Sequence, residues 1–557
     1  MNQPLSNNWN SRSDSYDIII IGSGYGGAIT ARRLAEAEFT TKPSICILER
    51  GMEWIPGLFP DESEDLTNHL KNPLNPLGLY EYRRYKDISI IQGSGLGGTS
   101  LINANVAIIP EPNVLDQDPW PSTITSKMLA PYYDDAAKGL DVTQHPKGMD
   151  LLKVQALNKR AAQLSGSRLE LLKLAVNFTV DGIDPETGVE RHPCTDCGDC
   201  VTGCNIRAKN TLYMNYLPLA KKSGVEIFTQ VKVKCIEPDL SGGFSIHYER
   251  FSPRHNLPES GTIRANRAVV VSAGSLGSTE IMLQSRDKGL KLSDAVGTRF
   301  SGNGDFFGIA YNSDQRTDIM GFGNHPNDPP RSDVKAGPTI VGVIRYDRGK
   351  PLKEQIVVED LTLPRAGVNP SRLLIKDLSI KGKDTDPGIG DKVRELGRVA
   401  RDIGFNLDGA LNHSMIYLVM GHDDAGGTMN LKNRKLQIEW PGVGNQGIFE
   451  QINNELFLHA KALGATFIES PLWDYFDARH LVTAHPLGGC PMGETRHTGV
   501  VDDCGRVFNG NGDKDVHHGL FVTDGSIIPT AIGVNPFLTI SALSEHIAKC
   551  IIEELNK

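Results

Sequence analysis

Both ends of the chain show short apolar runs separated by glycine-rich turns. Residues 17–21 are an aspartate followed by four isoleucines, a pattern typical of a parallel strand buried on both faces. A glycine-rich turn over 22–27, a helical stretch over 28–37 and a second apolar strand over 44–49 follow directly. Residues 517–557 again contain a strand, a glycine-rich turn and a terminal helix. We therefore predict a nucleotide-binding α/β unit that the C-terminus completes.

The middle of the chain has a different pattern. Residues 111–190 are irregular, with helical pieces around 151–165, and an amphipathic helix over 447–463 is expected to end at Gly464. Between 300 and 440 apolar and polar positions alternate, which favours antiparallel strands with one solvated face. The predicted strands are 306–311, 338–346, 354–363, 414–420 and 435–440.

The predicted fold class is α/β, with a Rossmann-like domain interrupted by a substrate domain built on a mainly antiparallel β-sheet with helices. We assign residues 14–110, 205–298 and 476–557 to the discontinuous nucleotide-binding domain. Residues 111–204 and 299–475 form the predicted substrate-binding or cap domain, which includes a cysteine cluster.

Composition narrows the classes of partner and compartment. The 557 residues carry a net charge of −9 and contain no run of basic residues, which argues against nucleic acid as a partner. The chain contains no stretch of about 18 apolar residues, so we expect no transmembrane helix. Residues 1–17 are polar and lack the apolar core of a signal peptide, so we expect a cytoplasmic protein.

The first glycine-rich turn has the pattern of a dinucleotide site. Gly22, Gly24 and Gly27 form a GxGxxG motif between a strand and a helix, which lets backbone and helix dipole approach a pyrophosphate. Glu49 ends the second strand, where an acid binds ribose hydroxyls. Gly93-x-Gly95-x-x-Gly98 also fits the motif, but no long helix follows it. We predict that this second turn lies against the same cofactor.

Several C-terminal motifs resemble one enzyme family. They are His485 to Cys490 (His-Pro-Leu-Gly-Gly-Cys), residues 522–529 and residues 533–540, supported by 273–279 and by Asn303-Gly304. Together with the glycine turns, they are similar to the glucose–methanol–choline (GMC) family of FAD oxidoreductases, in its cholesterol-oxidase-like branch. The resemblance runs in order from residue 17 to residue 552 and is weakest across 111–190 and 310–475.

The resemblance implies FAD and a set of residues that contact it. Two departures from the cholesterol oxidase pattern are Thr99, where a third glycine is usual, and Ala104-Asn105, which replaces Gly-Gly. The implied cofactor-binding residues are Gly22, Gly24, Tyr25, Gly26, Gly27, Glu49, Gly97, Gly98, Thr99, Asn103, Ala104, Val106, Val231, Asp524, Gly525, Asn535, Pro536 and Phe537. For Asp524, a role as a turn or cap residue is the alternative.

The resemblance also implies a catalytic pair, His485 and Asn535. Oxidising an alcohol requires loss of the hydroxyl proton, which a neutral imidazole can accept, while an amide can orient the substrate oxygen. Glu359 lies in a segment, 357–364, that resembles the part of cholesterol oxidase carrying a carboxylate base for isomerising a steroid double bond. The alternative for Glu359 is a solvent-facing position on an alternating strand.

Four cysteines fall within eleven residues. Cys194, Cys197, Cys200 and Cys204 have the spacing of bacterial ferredoxins, which favours an iron–sulfur cluster. Asn205 stands where a proline is usual after the fourth cysteine. Zinc, disulfides or a turn that only packs are the alternatives. The remaining cysteines, Cys46, Cys235, Cys490, Cys504 and Cys550, are predicted to be isolated and to be buried or inert.

These features predict an FAD-dependent alcohol oxidoreductase. Hydride would pass from the CH–OH group of a hydrophobic or cyclic alcohol, with a 3-hydroxysteroid as the leading substrate, to flavin N5. The electron acceptor would be oxygen, a quinone or a redox protein, with a route through an iron–sulfur cluster if one is bound. The alternatives are a non-redox lyase of the same fold and a flavin or iron–sulfur electron-transfer module.

Overall fold

The computed structural model describes residues 4–165, 169–251, 258–323, 334–404, 406–475 and 479–557. Its first layer is an eight-stranded sheet around the predicted first strand, Ser15–Ile21, which pairs in parallel with both of its neighbours. The order across the sheet is Glu226–Phe228, Ile45–Leu48, Ser15–Ile21, Glu259–Val271, Phe244–Arg250 and Val231–Pro238. Two further strands branch from this order: Val516–Val522 pairs with Glu259–Val271, and Arg506–Phe508 pairs with Val516–Val522.

The four isoleucines of the first strand are almost fully buried because helices cover the sheet. Helix Tyr25–Glu36 starts directly after the glycine turn and packs against the C-terminal helix Phe537–Leu555 and against Tyr216–Lys222. The strand, turn and helix at each end of the chain thus meet in one unit, as the apolar pattern predicted.

The second large sheet has seven strands, and every pairing in it is antiparallel. Its order is Lys383–Asp384, Thr466–Ile468, Phe306–Tyr311, Met415–Met420, Val357–Leu361, Gly342–Arg345 and Leu169–Leu171. The predicted α/β class with an antiparallel second sheet is confirmed. The strands of the two sheets fall inside the two sets of predicted domain ranges, but the domain boundaries themselves stay a prediction.

One predicted strand lies elsewhere. Residues 435–440 were expected in the antiparallel sheet, whereas Lys435–Glu439 pairs only with Thr428–Lys432 as a separate hairpin. Three smaller assemblies complete the β-structure: Leu481–Thr483 with Ile88–Gly93 and Tyr80–Arg84; Val106–Ala107 with Lys173–Leu174 and Thr143–Gln144; and Gly182–Ile183 with Glu190–Arg191.

The helices include several that the sequence pattern did not predict. The helix Gly447–Leu463 ends at Gly464 in the left-handed conformation, as predicted. Ser126–Gly139, Arg365–Ser379 and Ile389–Arg401 were missed, and the first two contain an internal proline, which breaks the usual sequence signal for a helix. The remaining α-helices are Ser63–Asn68, Leu152–Ala161 and Gly274–Arg286. No helix in the described part of the chain is long and apolar enough to cross a bilayer.

Candidate active site

A cavity of about 530 Å³ is lined by residues from both large sheets. The eight-stranded sheet contributes Ile21 and Leu48 at the carboxyl ends of two parallel strands, and Val231 at the start of a strand that pairs in an antiparallel manner. The antiparallel sheet contributes apolar side chains, Phe307, Leu361 and Leu418. Because ligands of α/β folds bind at the carboxyl ends of parallel strands, this position suits a nucleotide that extends toward a second, apolar compartment.

The first glycine turn forms one end of the cavity. A Cβ atom on Gly27 would clash with the carbonyl oxygen of Gly22, so that position serves close packing. A Cβ atom on Gly24 would meet nothing within 4 Å, and Gly24 lines the cavity. The open space above Gly24 lies at the N-terminus of helix Tyr25–Glu36, where backbone N–H groups favour a phosphate.

Glu49 lies beside this turn and is buried. Its Oε2 atom accepts hydrogen bonds from the backbone N–H of Ser23 at 3.1 Å and from the Ser23 hydroxyl at 2.5 Å. Its Oε1 atom accepts from the N–H of Gly51 at 2.8 Å. The carboxylate is therefore held rigidly at the cavity wall and keeps lone pairs for ribose hydroxyls.

The second glycine turn approaches the first one. The N–H of Gly97 donates to the Ser23 hydroxyl at 3.0 Å, and only a short 3-10 helix, Gly98–Leu101, follows, as predicted. Farther along, Asn103 Nδ2 donates to the Tyr25 hydroxyl at 2.8 Å. The Tyr25 ring stacks on Phe537 with 5.0 Å between ring centroids. These contacts tie the loop to the start of the C-terminal helix.

Both carboxylate oxygens of Asp524 accept hydrogen bonds from other residues of the protein. Oδ2 accepts from the N–H of Gly274 at 2.8 Å and from the Ser278 hydroxyl at 2.5 Å, and Oδ1 accepts from the N–H of Ser526 at 2.9 Å. Asp524 thus binds the first N–H of helix Gly274–Arg286 and caps the short 3-10 helix Gly525–Ile527. The structure gives it the cap role considered in the sequence analysis and places it on the cavity wall as well.

His485 lies on the cavity wall with a fixed ring. Its Nδ1 atom is 2.8 Å from Oδ1 of Asp305, a buried carboxylate. The other oxygen of Asp305 accepts from the Thr483 hydroxyl at 2.8 Å and from the N–H of Ala484 at 2.9 Å. Since the charged Asp305 favours a proton on Nδ1, the Nε2 atom is left to accept a proton.

Asn535 and Glu359 are in contact with each other. Asn535 Nδ2 donates to Glu359 Oε2 at 3.3 Å. Glu359 is fully buried, so the solvent-facing alternative is wrong. Burial raises the pKa of Glu359 well above its usual value, although the hydrogen bond from Asn535 opposes the shift. Burial therefore favours the protonated, neutral form of Glu359.

Asn303 shapes the loop that carries Asn535. Its Oδ1 atom accepts from the N–H groups of Ile532 and Gly533 at 2.9 and 3.0 Å, and its Nδ2 atom donates to the carbonyl of Val534 at 2.8 Å. The Asn303-Gly304 motif and the C-terminal motif are thus one structural unit. Asp305, which directly follows the motif, was missed, and its position beside two quoted residues was the available signal.

The cavity fits a flavin nucleotide by the chemistry of its wall. Four buried polar atoms there have no hydrogen-bond partner within the described chain: Asn103 Oδ1, Asn105 Nδ2, Ser272 Oγ and Asn535 Oδ1. Unpaired buried polar groups are costly, so their concentration at one cavity indicates a polar ligand. Of the residues that the resemblance implies for FAD, all line the cavity except Gly27 and Gly97.

The four clustered cysteines lie next to this cavity. Val201 and Thr202, from the same segment, line it, and Lys209 donates to the carbonyls of Asn103 and Cys200 at 2.7 and 2.9 Å. Cys194, Cys197, Cys200 and Cys204 form no disulfide. No three of their sulfur atoms lie within 4.8 Å of one another, so these described residues do not enclose a single ion such as zinc. The structure gives an iron–sulfur cluster no support.

Another cysteine pair differs from its prediction. Cys504 and Cys550 were expected to be isolated, yet they form a disulfide with 5.7 Å between their Cα atoms. The two residues are 46 positions apart and come together because the C-terminal helix packs beside the turn over 502–505. No spacing rule relates cysteines this far apart, and the fold alone brings them together.

Comparisons with known proteins agree with the site. The chain is 27% identical to a cholesterol oxidase of Acinetobacter baumannii over 95% of this chain and 93% of that protein. It is 29% identical to a cholesterol oxidase of Mycobacterium tuberculosis, over 96% and 90%. A long-chain-alcohol oxidase of Arabidopsis thaliana is 25% identical over 97% of this chain and 68% of its own length.

Solved structures show the same fold at low sequence identity. A pyridoxine 4-oxidase from Mesorbium loti has a TM-score of 0.61 at 15% identity and covers 96% of this chain and 98% of its own. A fungal aryl-alcohol oxidase has a TM-score of 0.60 at 14% identity, with 98% and 100% covered. Models of the GMC oxidoreductase family match residues 16–301 and 455–544. The chain therefore belongs to the GMC oxidoreductase family and is an FAD-dependent oxidoreductase acting on CH–OH donors.

Proposed function

We propose that the protein oxidises the CH–OH group of a hydrophobic alcohol, with a 3-hydroxysteroid as the leading substrate, and passes the electrons to oxygen. The apolar side chains of Phe307, Leu361 and Leu418 support a hydrophobic substrate. The relatives named above are cholesterol and long-chain-alcohol oxidases, which supports both the substrate class and the acceptor. Flavin supplies the chemistry of hydride acceptance when it is bound.

The observation that carries the proposal is the hydrogen bond between His485 Nδ1 and Asp305. It holds the ring so that Nε2 can accept the hydroxyl proton of a substrate in the cavity. Asn535 Oδ1 has no partner in the described chain and can orient the same hydroxyl.

The test is anaerobic reduction of the bound flavin by a 3-hydroxysteroid and by a long-chain primary alcohol. We expect bleaching by at least one of them and a loss of about a hundredfold or more in its rate in His485→Ala. His518→Ala, whose side chain is 97% exposed, is the matched control. Consumption of substrate without bleaching would identify a lyase, and an unchanged rate in His485→Ala would reject its role.

A further inference from the structure

The C-terminal helix brings three potential metal ligands together at the Cys504–Cys550 disulfide. His546 and Cys550 are four residues apart on helix Phe537–Leu555, so their side chains share one face. Cys504 reaches them from the turn over 502–505. The two sulfur atoms and one ring nitrogen of His546 all lie within 4.8 Å of one another. Two sulfurs and an imidazole are a common ligand set for zinc.

The distances between these atoms match a tetrahedral zinc site. Zinc binds cysteine sulfur at about 2.3 Å and histidine nitrogen at about 2.0 Å, which sets the ligand atoms about 3.6 to 3.8 Å apart. Cys550 Sγ lies 3.9 Å from His546 Nε2. Once the bond between the sulfur atoms is broken, side-chain rotation lets Cys504 Sγ and Cys550 Sγ separate to the same distance. The backbone therefore needs little adjustment to hold the ion.

The ring of His546 is held in place while one of its nitrogens stays unused. The ring packs edge-on against Tyr132, with 5.3 Å between the ring centroids. Its Nε2 atom lies 3.0 Å from the carbonyl oxygen of Asp503, and its buried Nδ1 atom has no hydrogen-bond partner in the described chain. Moving the ring proton to Nδ1 thus breaks a single hydrogen bond and leaves the Nε2 lone pair beside Cys550.

Exposure and ligand type indicate which ion fits. Cys504, His546 and Cys550 are all half-buried, so a reductant and a cation can reach them from solvent. Thiolate and imidazole ligands favour zinc, whereas calcium and magnesium prefer oxygen ligands. Two thiolates also neutralise the two positive charges of Zn²⁺. A water molecule from the exposed side can complete the tetrahedron.

We propose that Cys504, His546 and Cys550 form a zinc site when the disulfide is reduced. A dithiol reductant transfers two electrons and two protons to the disulfide, becomes a cyclic disulfide itself, and leaves two thiols on the protein. Zn²⁺ then displaces the two thiol protons and binds both thiolates and His546 Nε2, with water as the fourth ligand.

The site keeps the C-terminal helix joined to the turn over 502–505 in either redox state. The same helix begins at Phe537, which lines the cavity, so the joint supports the cavity wall from the far end of the helix. The zinc site does not depend on the proposed oxidation of an alcohol.

The test measures zinc binding by the FAD-loaded protein without turnover. The protein is purified with its disulfide intact, reduced with a phosphine under nitrogen and separated from the phosphine. By equilibrium dialysis and elemental analysis, we expect the reduced protein to bind one Zn²⁺ per chain more than the oxidised protein. C504S/C550S should lose this additional ion. C197S/C200S, which changes the other cysteine segment, should keep it.

A second variant tests the imidazole while the disulfide stays available for folding. His546→Ala removes a direct ligand and should weaken zinc binding by about a hundredfold or more, because even the partners of metal ligands contribute about 10- to 100-fold. His518→Ala, whose side chain is 97% exposed, should bind zinc as the parent does. Co²⁺ in place of zinc should give a thiolate-to-metal absorption band in the reduced parent and none in the oxidised parent.

Three results would each overturn the proposal. They are equal zinc binding by the oxidised and the reduced parent, retention of the additional ion by C504S/C550S, and equal affinity in His546→Ala and the parent. Melting gives a further check: reduction should lower the melting temperature of the parent, and zinc should restore most of the loss. If no alcohol reduces the flavin, the proposed function fails while zinc binding still decides the site.

Discussion

The carboxylate of Asp305 controls which nitrogen of His485 carries the proton. Asp305→Asn keeps the shape of the side chain but removes the charge that favours Nδ1–H. We expect the rate of flavin reduction by the best alcohol to fall by about a hundredfold or more, with little change in FAD content. Stopped-flow measurement of flavin absorbance tests this. Asp116→Asn, at an exposed position, is the control, and equal rates in the two variants would show that Asp305 does not position the ring.

Glu359 makes stability depend on pH. Because burial raises its folded-state pKa, ionisation costs folding free energy as pH rises from the unfolded pKa toward the folded one. Glu359→Gln removes this cost, so the variant should gain stability over the parent as pH rises above about 5, by at most about 1.4 kcal/mol per pH unit, until the folded-state pKa is passed. Denaturant unfolding at several pH values measures the gain. Exposed Glu354→Gln should show none, and a pH-independent difference for Glu359→Gln would contradict the assigned pKa direction.

At the scale of the element, two glycines of the first turn serve different purposes: Gly27 is needed for folding and Gly24 for binding FAD. Gly27→Ala would drive a methyl group into the Gly22 carbonyl, whereas Gly24→Ala would place one in open space at the cavity. We expect Gly27→Ala to lose about 3 kcal/mol or more of stability without FAD. Gly24→Ala should fold but hold FAD about tenfold more weakly, because the methyl group takes space at the phosphate end. Melting of the FAD-free proteins and titration with FAD distinguish the two, and similar melting would show that both glycines serve the same purpose.

A buried ion pair between Lys153 and Asp360 anchors the strand that carries Glu359. Lys153 Nζ lies 2.9 Å from Asp360 Oδ2, both side chains are inaccessible to solvent, and Lys153 also donates to Thr362 Oγ1 at 2.8 Å. Lys153→Met would leave the Asp360 charge unpaired, at a cost of about 3–5 kcal/mol. K153M/D360N removes the charge as well and should recover part of the loss in denaturant unfolding. Exposed Lys147→Met is the control. A double variant no more stable than Lys153→Met would show that the charge is not the cause.

At the scale of the whole molecule, the sequence predicts the elements that local residue patterns determine. It misses the features that depend on contacts between residues far apart in the chain. Consecutive isoleucines and the glycine turn determine the parallel strand and its helix locally, and both were predicted. Helix Ile389–Arg401 was missed although its apolar residues recur at helical spacing. Its buried side is polar because Arg398 contacts Asn312 and Asp314, and the local sequence does not show these partners. The link from Asp305 to His485 crosses 180 residues, and only the fold reveals it.

In the cysteine segment, the spacing favours an iron–sulfur cluster that the fold alone does not support. No three of the four described sulfur atoms surround a single ion, and Lys209 links the carbonyls of Cys200 and Asn103. We expect protein purified without oxygen to show flavin bands that dithionite bleaches completely, as suits direct transfer of electrons from flavin to oxygen. C197S/C200S should leave this spectrum unchanged. A broad absorbance that partly survives dithionite in the parent and disappears in C197S/C200S would establish a cluster. The electrons would then leave through the cysteine segment, and the acceptor would be a quinone or a redox protein.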